Sequence, residues 1–339
     1  MNAKYRMPAE FENQEGVWIS FPKNRGTFPD EIIEKVEETF VQIIKTISED
    51  EKVFLLVDDE KEEKRIQKII GKRAVLENVI YHRIKSSDVW IRDYGPTFVK
   101  DPKGSVFAIK WTYNAYGDKY EDLKFDNSAG KEVAKASKKK IIDPQIILEG
   151  GSIEVNGKGT LITTEQCLLN QNRNSKLTKE QIEAKLKDLL GVTNIIWLGE
   201  GVVGDDTDGH IDDIARFVDE KTIVCAYEEN ENDENYIALK KDYEKLCESI
   251  DQDGKKFKVV KVPMPKPKFS KFGRVPASYA NFLITNKSVL LPVFNDENDE
   301  AAIKILQKLM PKRRIVPIDC TYHVWGLGTI HCSSQQQPK

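Results

Sequence analysis

The sequence predicts an α/β protein built as a closed, five-fold pseudo-symmetric ring of ββαβ units. Three observations predict it. Four β-hairpin patterns recur along the 339 residues, beginning near residues 96, 152, 214 and 281. Each is followed by a segment of helical period and then by one more strand. Short polar signatures stand ahead of the first three hairpins: WIRD at 90–93, LEGGS at 148–152 and GHID at 209–212. A further one, GTIHC at 328–332, comes last. The hairpins are spaced by 56, 62 and 67 residues, too irregular for an open solenoid of near-identical repeats.

The N-terminal part supplies strand VWISFP, a helix over about 30–47 and strand KVFLLVD. Ile33, Val36, Phe40, Ile44 and Ile47 place the helix's apolar face at helical spacing. Residues 59–84, a helix and then VIYHRI, extend this unit. It lacks half a hairpin, and a strand around 329–333 is expected to complete it and close the ring. The hairpin at 96 turns at Asp-Pro-Lys-Gly and leads to a helix near 127–139 and strand IILEG. The hairpin at 152 turns at Asn-Gly; Thr178 and Gln181 then form a capping box opening a helix to about Leu190, before NIIWLG. The hairpin at 214 precedes a helix from about 229 to 250 and then FKVVKVPMP. After the hairpin at 281, a helix over 299–310 stops at Pro311, and RIVPID follows. No low-complexity linker divides the chain, so residues 1–339 read as a single domain.

Lys and Arg number 52 against 55 Asp and Glu, a net charge of -3, and no basic stripe marks a nucleic-acid footprint. The KASKKK run at 135–140 reads as a solvated face. Five cysteines, an odd number without CxxC spacing, argue against a disulfide framework or a structural zinc and for a reducing compartment. The segment MNAKYRMPAEF lacks the apolar run of a signal peptide, and no stretch approaches the roughly 18 apolar residues of a membrane span. A cytoplasmic protein with no membrane and no nucleic-acid partner is expected.

Residues at one phase of such a ring can converge on one axis. Cys332 is the candidate nucleophile, since a thiolate is the strongest side-chain nucleophile near neutral pH. A free cysteine is also a common buried apolar residue, the reading given to Cys167, Cys225, Cys247 and Cys320 in their apolar surroundings. His210, one of four histidines, is flanked by Asp205, Asp206, Asp208, Asp212 and Asp213. In strand geometry His210 and Asp212 share a face. The GDDTDGHIDD string lacks the spacing and terminal glutamate of an EF-hand, which argues against calcium. Asp93 reads equally as a turn residue paired with Arg92, and Glu149 as the start of a Gly-Gly turn. Gathered together, these carboxylates are costly to bury without a cation, and the motifs hold no Arg or Lys beyond Arg92. A planar guanidinium ligand, whose five donors suit two carboxylates, would offset them.

The segments MPAEFENQEGVW, WIRDYGPTFV, NAYGDKY, LEGGSIEVNGKGTLITTEQCLLNQNRN, GDDTDGHIDDIARFV, PASYANFLI and WGLGTIHCSSQQQP together resemble the agmatine deiminase family of guanidino-group-modifying enzymes, which also holds bacterial peptidylarginine deiminases. The resemblance spans essentially the whole chain. It implies a five-bladed α/β-propeller, the pentein fold, a homodimer, and a reaction with no metal or organic cofactor. It implies Cys332 as nucleophile, His210 as general acid and base, Asp93 and Asp212 as the guanidinium clamp, and Glu149 as the partner that orients His210. The product would be N-carbamoylputrescine. Family members commonly carry Trp-Pro where this chain has Phe21-Pro22, a tryptophan at Tyr116 and a glycine at Leu327.

Agmatine joins its guanidinium to an amine through four methylenes. Trp90, Tyr116 and Trp18 are candidate walls for that chain, and Asp88 with the acidic stretch 204–208 candidate partners for the amine. No arginine is reserved for a substrate carboxylate. Deimination of free or peptidyl arginine is the alternative within this chemistry. A cysteine amidase or protease is disfavoured by the surplus carboxylates, and a non-enzymatic binding protein of the same architecture has no reason to keep the four reacting groups together.

Overall fold

Hairpins followed by a parallel third strand organise the computed structural model, which describes residues 4–339; residues 1–3, part of the segment read above as lacking a leader, lie outside the described residues. Four sheets share one plan. Thr97–Lys100 and Val106–Ile109 pair antiparallel, and Lys140–Ile142 joins in parallel. Glu154–Val155, Thr160–Thr164 and Asn194–Leu198 repeat the plan. So do Ala215–Phe217, Thr222–Tyr227 and Lys258–Pro263, and then Leu283–Ile284, Ser288–Val293 and Arg314–Asp319. A parallel neighbour cannot be reached by a tight turn. Helices Asp126–Ala136, Lys179–Leu190, Tyr236–Glu248 and Asp299–Leu309 make those crossovers.

The fifth sheet is assembled from both ends of the chain. Gln14–Ser20 pairs in parallel with Lys52–Val57, which pairs in turn with Val79–Arg83, the added strand foreseen in residues 59–84. Its antiparallel partner is Ser334–Pro338, with Trp18 opposite Gln335 and Gln14 opposite Pro338. The strand expected at 329–333 therefore begins later. Ser333 and Ser334 hydroxyls donate to the carbonyls of Thr329 and Ile330 and wind that segment into a turn. Cys332 thus stands just ahead of a first strand, as the other signatures do.

Three other boundaries differ. Ile147 makes only an isolated bridge to Thr112, because the Asn174 side chain takes both its N–H and its C=O, at 3.0 and 2.7 Å. The helix expected from 229 begins at Tyr236, since Asn230 and Asp233 side chains accept from the backbone N–H groups of Asn232 and Asn235 and hold turns there. A short hairpin, Lys268–Ser270 with Gly273–Val275, was not foreseen.

The expected stripe Ile33, Val36, Phe40, Ile44 and Ile47 lies on helix Ile33–Asp50 and is buried throughout, at the centre of the largest apolar cluster. Among the described residues no helix is long and apolar enough to cross a membrane. All five cysteines are free, and Cys247 is exposed, in contrast to the apolar setting expected of it, because it sits on the outer face of Tyr236–Glu248.

The capping box of Lys179–Leu190 forms as read: Thr178 accepts from the Gln181 N–H, and the Gln181 side chain accepts from the Thr178 N–H at 2.9 Å. Thr178→Ala is expected to destabilise the fold by about 1 kcal/mol, measurable by urea unfolding, with no change in the site.

Candidate active site

Five turns, each preceding the first strand of a sheet, bring the candidate residues to one place. They are the helical turn Ile91–Tyr94, the turn Gly150–Ser152, the turn Ile211–Asp213, the segment ending at Asn281, and the turn 329–333. His210 and Asp212 lie in an extended residue followed by a 3₁₀ turn, not on a strand as expected. They converge nonetheless.

Gly151 marks the meeting point. A Cβ there would lie 2.6 Å from His210 Nδ1, 2.9 Å from Asp93 Oδ1 and 3.1 Å from Asp212 Oδ2, so only hydrogen fits among the three. Its N–H donates to Asp93 Oδ1 at 2.9 Å. Asp93 Oδ2 accepts from the Tyr116 hydroxyl at 3.0 Å, and Asp93 Oδ1 is 3.7 Å from His210 Nδ1. Cys332 Sγ is 3.0 Å from Asn281 Nδ2 and 3.6 Å from Asp212 Oδ2. Both ring nitrogens of His210, Oδ1 of Asp212 and Oε2 of Glu149 have no hydrogen-bond partner among the described residues. Buried polar atoms are rarely left so, and a catalytic role is one of the explanations such a group calls for.

Electrostatically the site crowds acidic groups together out of water. Burial, reinforced by Asp212, pushes the Asp93 carboxyl well above its ordinary value. Burial and the carboxylates of Asp212, Asp213 and Asp93 push the Cys332 thiol well up. Burial brings His210 down to about 4, against the opposing pull of Asp212 and Asp205. A cation between the carboxylates and the thiol removes much of what holds Asp93 and Cys332 protonated. The donor atoms of Asp212, Asp213 and Cys332 lie within 4.8 Å of one another, as do those of Glu149, Cys167 and His210. Both sets belong to this site, and their chemistry suits a planar organic cation; neither is assigned as a metal centre.

Trp90 and Tyr116 line a cavity of about 460 Å³ that reaches Asp93 and Cys332, together with Tyr120, Asp122, Asp206, Phe272, Trp325 and Leu327. Leu327 has φ +69, a left-handed conformation that favours glycine, and its side chain forms part of the wall. The remaining sequence candidates sit elsewhere. Asp88 does not line the cavity; its carboxylate accepts from Thr27, from Asn24 at 3.1 Å and from the Val89 N–H at 2.8 Å, and burial raises it to about 6. Trp18 stacks on Phe54 in the fifth sheet, and Phe21 is buried against Phe40. Glu149 makes no hydrogen bond to His210. Its Oε1 accepts from Arg173 Nε at 2.7 Å, and Arg173 also reaches Asp208 at 2.8 Å and the Thr207 carbonyl at 3.0 Å.

Sequence reasoning missed Arg173, Arg216, Glu10, Asn281 and His331. Arg173 and Arg216 lie within the segments quoted above, and His331 within GTIHC itself, but nothing local shows which carboxylate each meets. Asn281 offered one signal, a polar residue inside the largely apolar run ASYANFLI from Ala277.

A family profile described as Porphyromonas-type peptidyl-arginine deiminase matches residues 6–338. The chain belongs to that family. A relative from Lactococcus lactis subsp. lactis, provisionally named agmatine deiminase, is 37% identical over 360 positions, covering 99% of this chain and 96% of its own length. A solved agmatine deiminase of C. jejuni with substrate bound is 34% identical, with a TM-score of 0.90 and coverage of 99% and 96%. The agmatine deiminase of Enterococcus faecalis, solved catalysing its reaction, is 33% identical with a TM-score of 0.92 over 99% and 96%. An amidinotransferase of Microseira wollei, 13% identical with a TM-score of 0.57, shares the mixed α/β fold alone.

Gly151→Ala is expected to leave a folded protein whose site is obstructed, with catalytic activity lowered at least ~100-fold, since small displacements of reacting groups cost that much; steady-state kinetics and circular dichroism check it together. In the free protein, alkylation of Cys332 by iodoacetamide is expected to keep accelerating beyond pH 9, as befits a thiol pushed above its ordinary range. Peptide mass spectrometry distinguishes it from exposed Cys247.

Proposed function

We propose that this protein is an agmatine deiminase, converting agmatine and water to N-carbamoylputrescine and ammonia in polyamine biosynthesis. The observation that carries the reading is the meeting of a thiol, two carboxylates and a neutral imidazole at an aromatic-walled cavity. The family membership and the solved relatives of that activity support it.

In the proposed reaction Asp93 and Asp212 clamp the guanidinium, and Trp90 and Tyr116 flank it and the methylene chain. Seating the cation lets Cys332 ionise. Its sulfur attacks the guanidinium carbon while His210 takes the thiol proton. The adduct collapses as His210 returns that proton to one amino group, which departs as ammonia and leaves a thiouronium on sulfur. Water then gives a proton to His210 as its oxygen bonds to carbon. The C–S bond breaks and the electron pair returns to sulfur; the proton on His210 restores the thiol, the hydroxyl proton passes to solvent, where it is taken up by ammonia, and the ureido product is released. Glu149, anchored at Oε1 by Arg173, has a carboxylate oxygen within 4.8 Å of His210 and polarises the ring through its charge, not through a hydrogen bond in the free protein. Asp206 and Asp122, rather than Asp88, answer the amine, because they line the cavity. Cysteine, imidazole and water balance the reaction, so no cofactor is called for.

We propose further that the five hairpin sheets close into a five-fold α/β propeller forming one domain over residues 1–339. The recurrence of the same turn, strand and crossover plan supports this. A cytoplasmic homodimer engaging neither nucleic acid nor membrane fits the near-neutral charge and unpaired thiols.

An assay of ammonia and ureido product across agmatine, arginine and a peptidylarginine tests the reading. The kcat/KM for agmatine is expected to exceed that for arginine by at least ~10²-fold, because a substrate carboxylate beside acidic neighbours is repelled and unpaired. Equal turnover of arginine would refute agmatine as the substrate. Cys332→Ser is expected to remain folded with essentially no turnover, a hydroxyl being far less ionised than a thiol; more than a few per cent of residual activity would remove Cys332 as the nucleophile.

A further inference from the structure

We propose that His331, the residue before the nucleophile, is a positioning residue held as an imidazolium between Glu10 and Asp212, where it keeps Asp212 ionised to receive the substrate cation. The second half of this inference rests on the deiminase reading of Asp212. The geometry carries the first half by itself. His331 is buried, with Nδ1 2.6 Å from Asp212 Oδ2 and Nε2 2.8 Å from Glu10 Oε2. A neutral ring has one donor and one acceptor, whereas an imidazolium has two donors. Two ionised carboxylates, one at each nitrogen, are satisfied only by the second.

Glu10 is a poor place for a proton. Its Oε1 is 2.9 Å from Arg216 Nη2 and accepts from the Ile284 N–H at 2.7 Å, and Arg92 Nη2 approaches its Oε2 at 3.5 Å. Against the cost of burial, Arg216, His331 and Arg92 hold its carboxyl far below the ordinary range. The contrast among the aspartates is sharper. Asp93, Asp212 and Asp213 are all buried in one cluster. Burial and neighbouring carboxylates drive Asp93 and Asp213 well up. Burial acts on Asp212 as well, but the hydrogen bond and charge of His331, with His210 and Arg216 adding to them, carry Asp212 below its ordinary value.

The charged or titratable groups facing this arrangement are Asp212, Asp213 and His210 from the 205–213 turn, Arg92 and Asp93 from the 91–94 turn, and Cys332 beside the ring in sequence. Glu10, Arg216 and Glu154 face it from the opposite side. The same residue also places the sulfur. The His331 N–H donates to Asn281 Oδ1 at 3.1 Å, and its carbonyl accepts from Arg92 Nε at 3.2 Å. With Oδ2 engaged by His331, Asp212 keeps Oδ1 for a guanidinium N–H.

The test begins on the full chain labelled with ¹⁵N-histidine. The other three histidines, His82, His210 and His323, are driven towards the neutral form by burial. Because a carboxylate meets each nitrogen of His331, one ring with both nitrogens protonated is expected at pH 7.5, absent in His331→Asn. His331→Asn retains a donor for Asp212 but no charge. Its kcat/KM for agmatine is expected to fall on the order of 10–100-fold, chiefly through KM, with the acidic limb of the pH profile moved upward as Asp212 takes up a proton more readily. Four neutral rings at pH 7.5, or a fall in activity equal at every pH, would overturn the proposal. If His331→Asn fails to fold, the ring signature of the wild type decides the matter. A wild-type protein without deiminase activity overturns the functional reading, and the ring signature then stands or falls alone.

Discussion

Negative charge taken out of water is the constraint on which the rest of this molecule depends. Glu10, Asp93, Glu149, Glu154, Asp212 and Asp213 are all buried. Isolated burial of even one carboxylate costs several kcal/mol. The chain answers with three buried guanidiniums from distant segments: Arg92 and Arg216 at Glu10, Arg216 again at Glu154, and Arg173 at Glu149. These cations sit behind the reacting groups. Among the described residues Asp93 and Asp213 are paired with no lysine or arginine, Asp93 having only His210 at 3.7 Å, so the compensation thins at the reacting groups.

That division explains why turns, and not strands, carry the site. A 3₁₀ or helical turn aims backbone N–H groups and short side chains inward, while the strand that follows anchors it in a sheet. Gly151 lets three such turns touch. The same approach forbids larger residues, which places steric selection and electrostatic selection on neighbouring atoms.

Much of this was legible in the sequence, and for identifiable reasons. The hairpins, the Thr178 capping box and the stripe on the first long helix are local, and local chemistry decides them. Asp93, His210, Asp212 and Cys332 could be singled out because each stood at the same phase of a repeat. The residues that escaped are those whose meaning is non-local. Arg173 and Glu149 are 24 positions apart and touch through a loop, while His331 and Glu10 are 321 apart. Asp88 and Trp18 misled because charge and aromaticity show in a sequence while direction does not. Their side chains turn into a loop anchor and a sheet interior. The start of the last strand was misjudged by a few residues because serine hydroxyls wind the preceding turn.

The pairing of Gln14–Ser20 with Ser334–Pro338 has a kinetic consequence. The hydrogen bond from Trp18 Nε1 to Gln337 Oε1 joins residues 319 apart, so closing it spends loop entropy over nearly the whole chain. Such contacts form late. Until then one edge of an apolar strand stays open, an aggregation hazard of the kind chaperones shield. The sulfur lies just before that final strand, so the reacting group and the last pairing to close share one short stretch of chain.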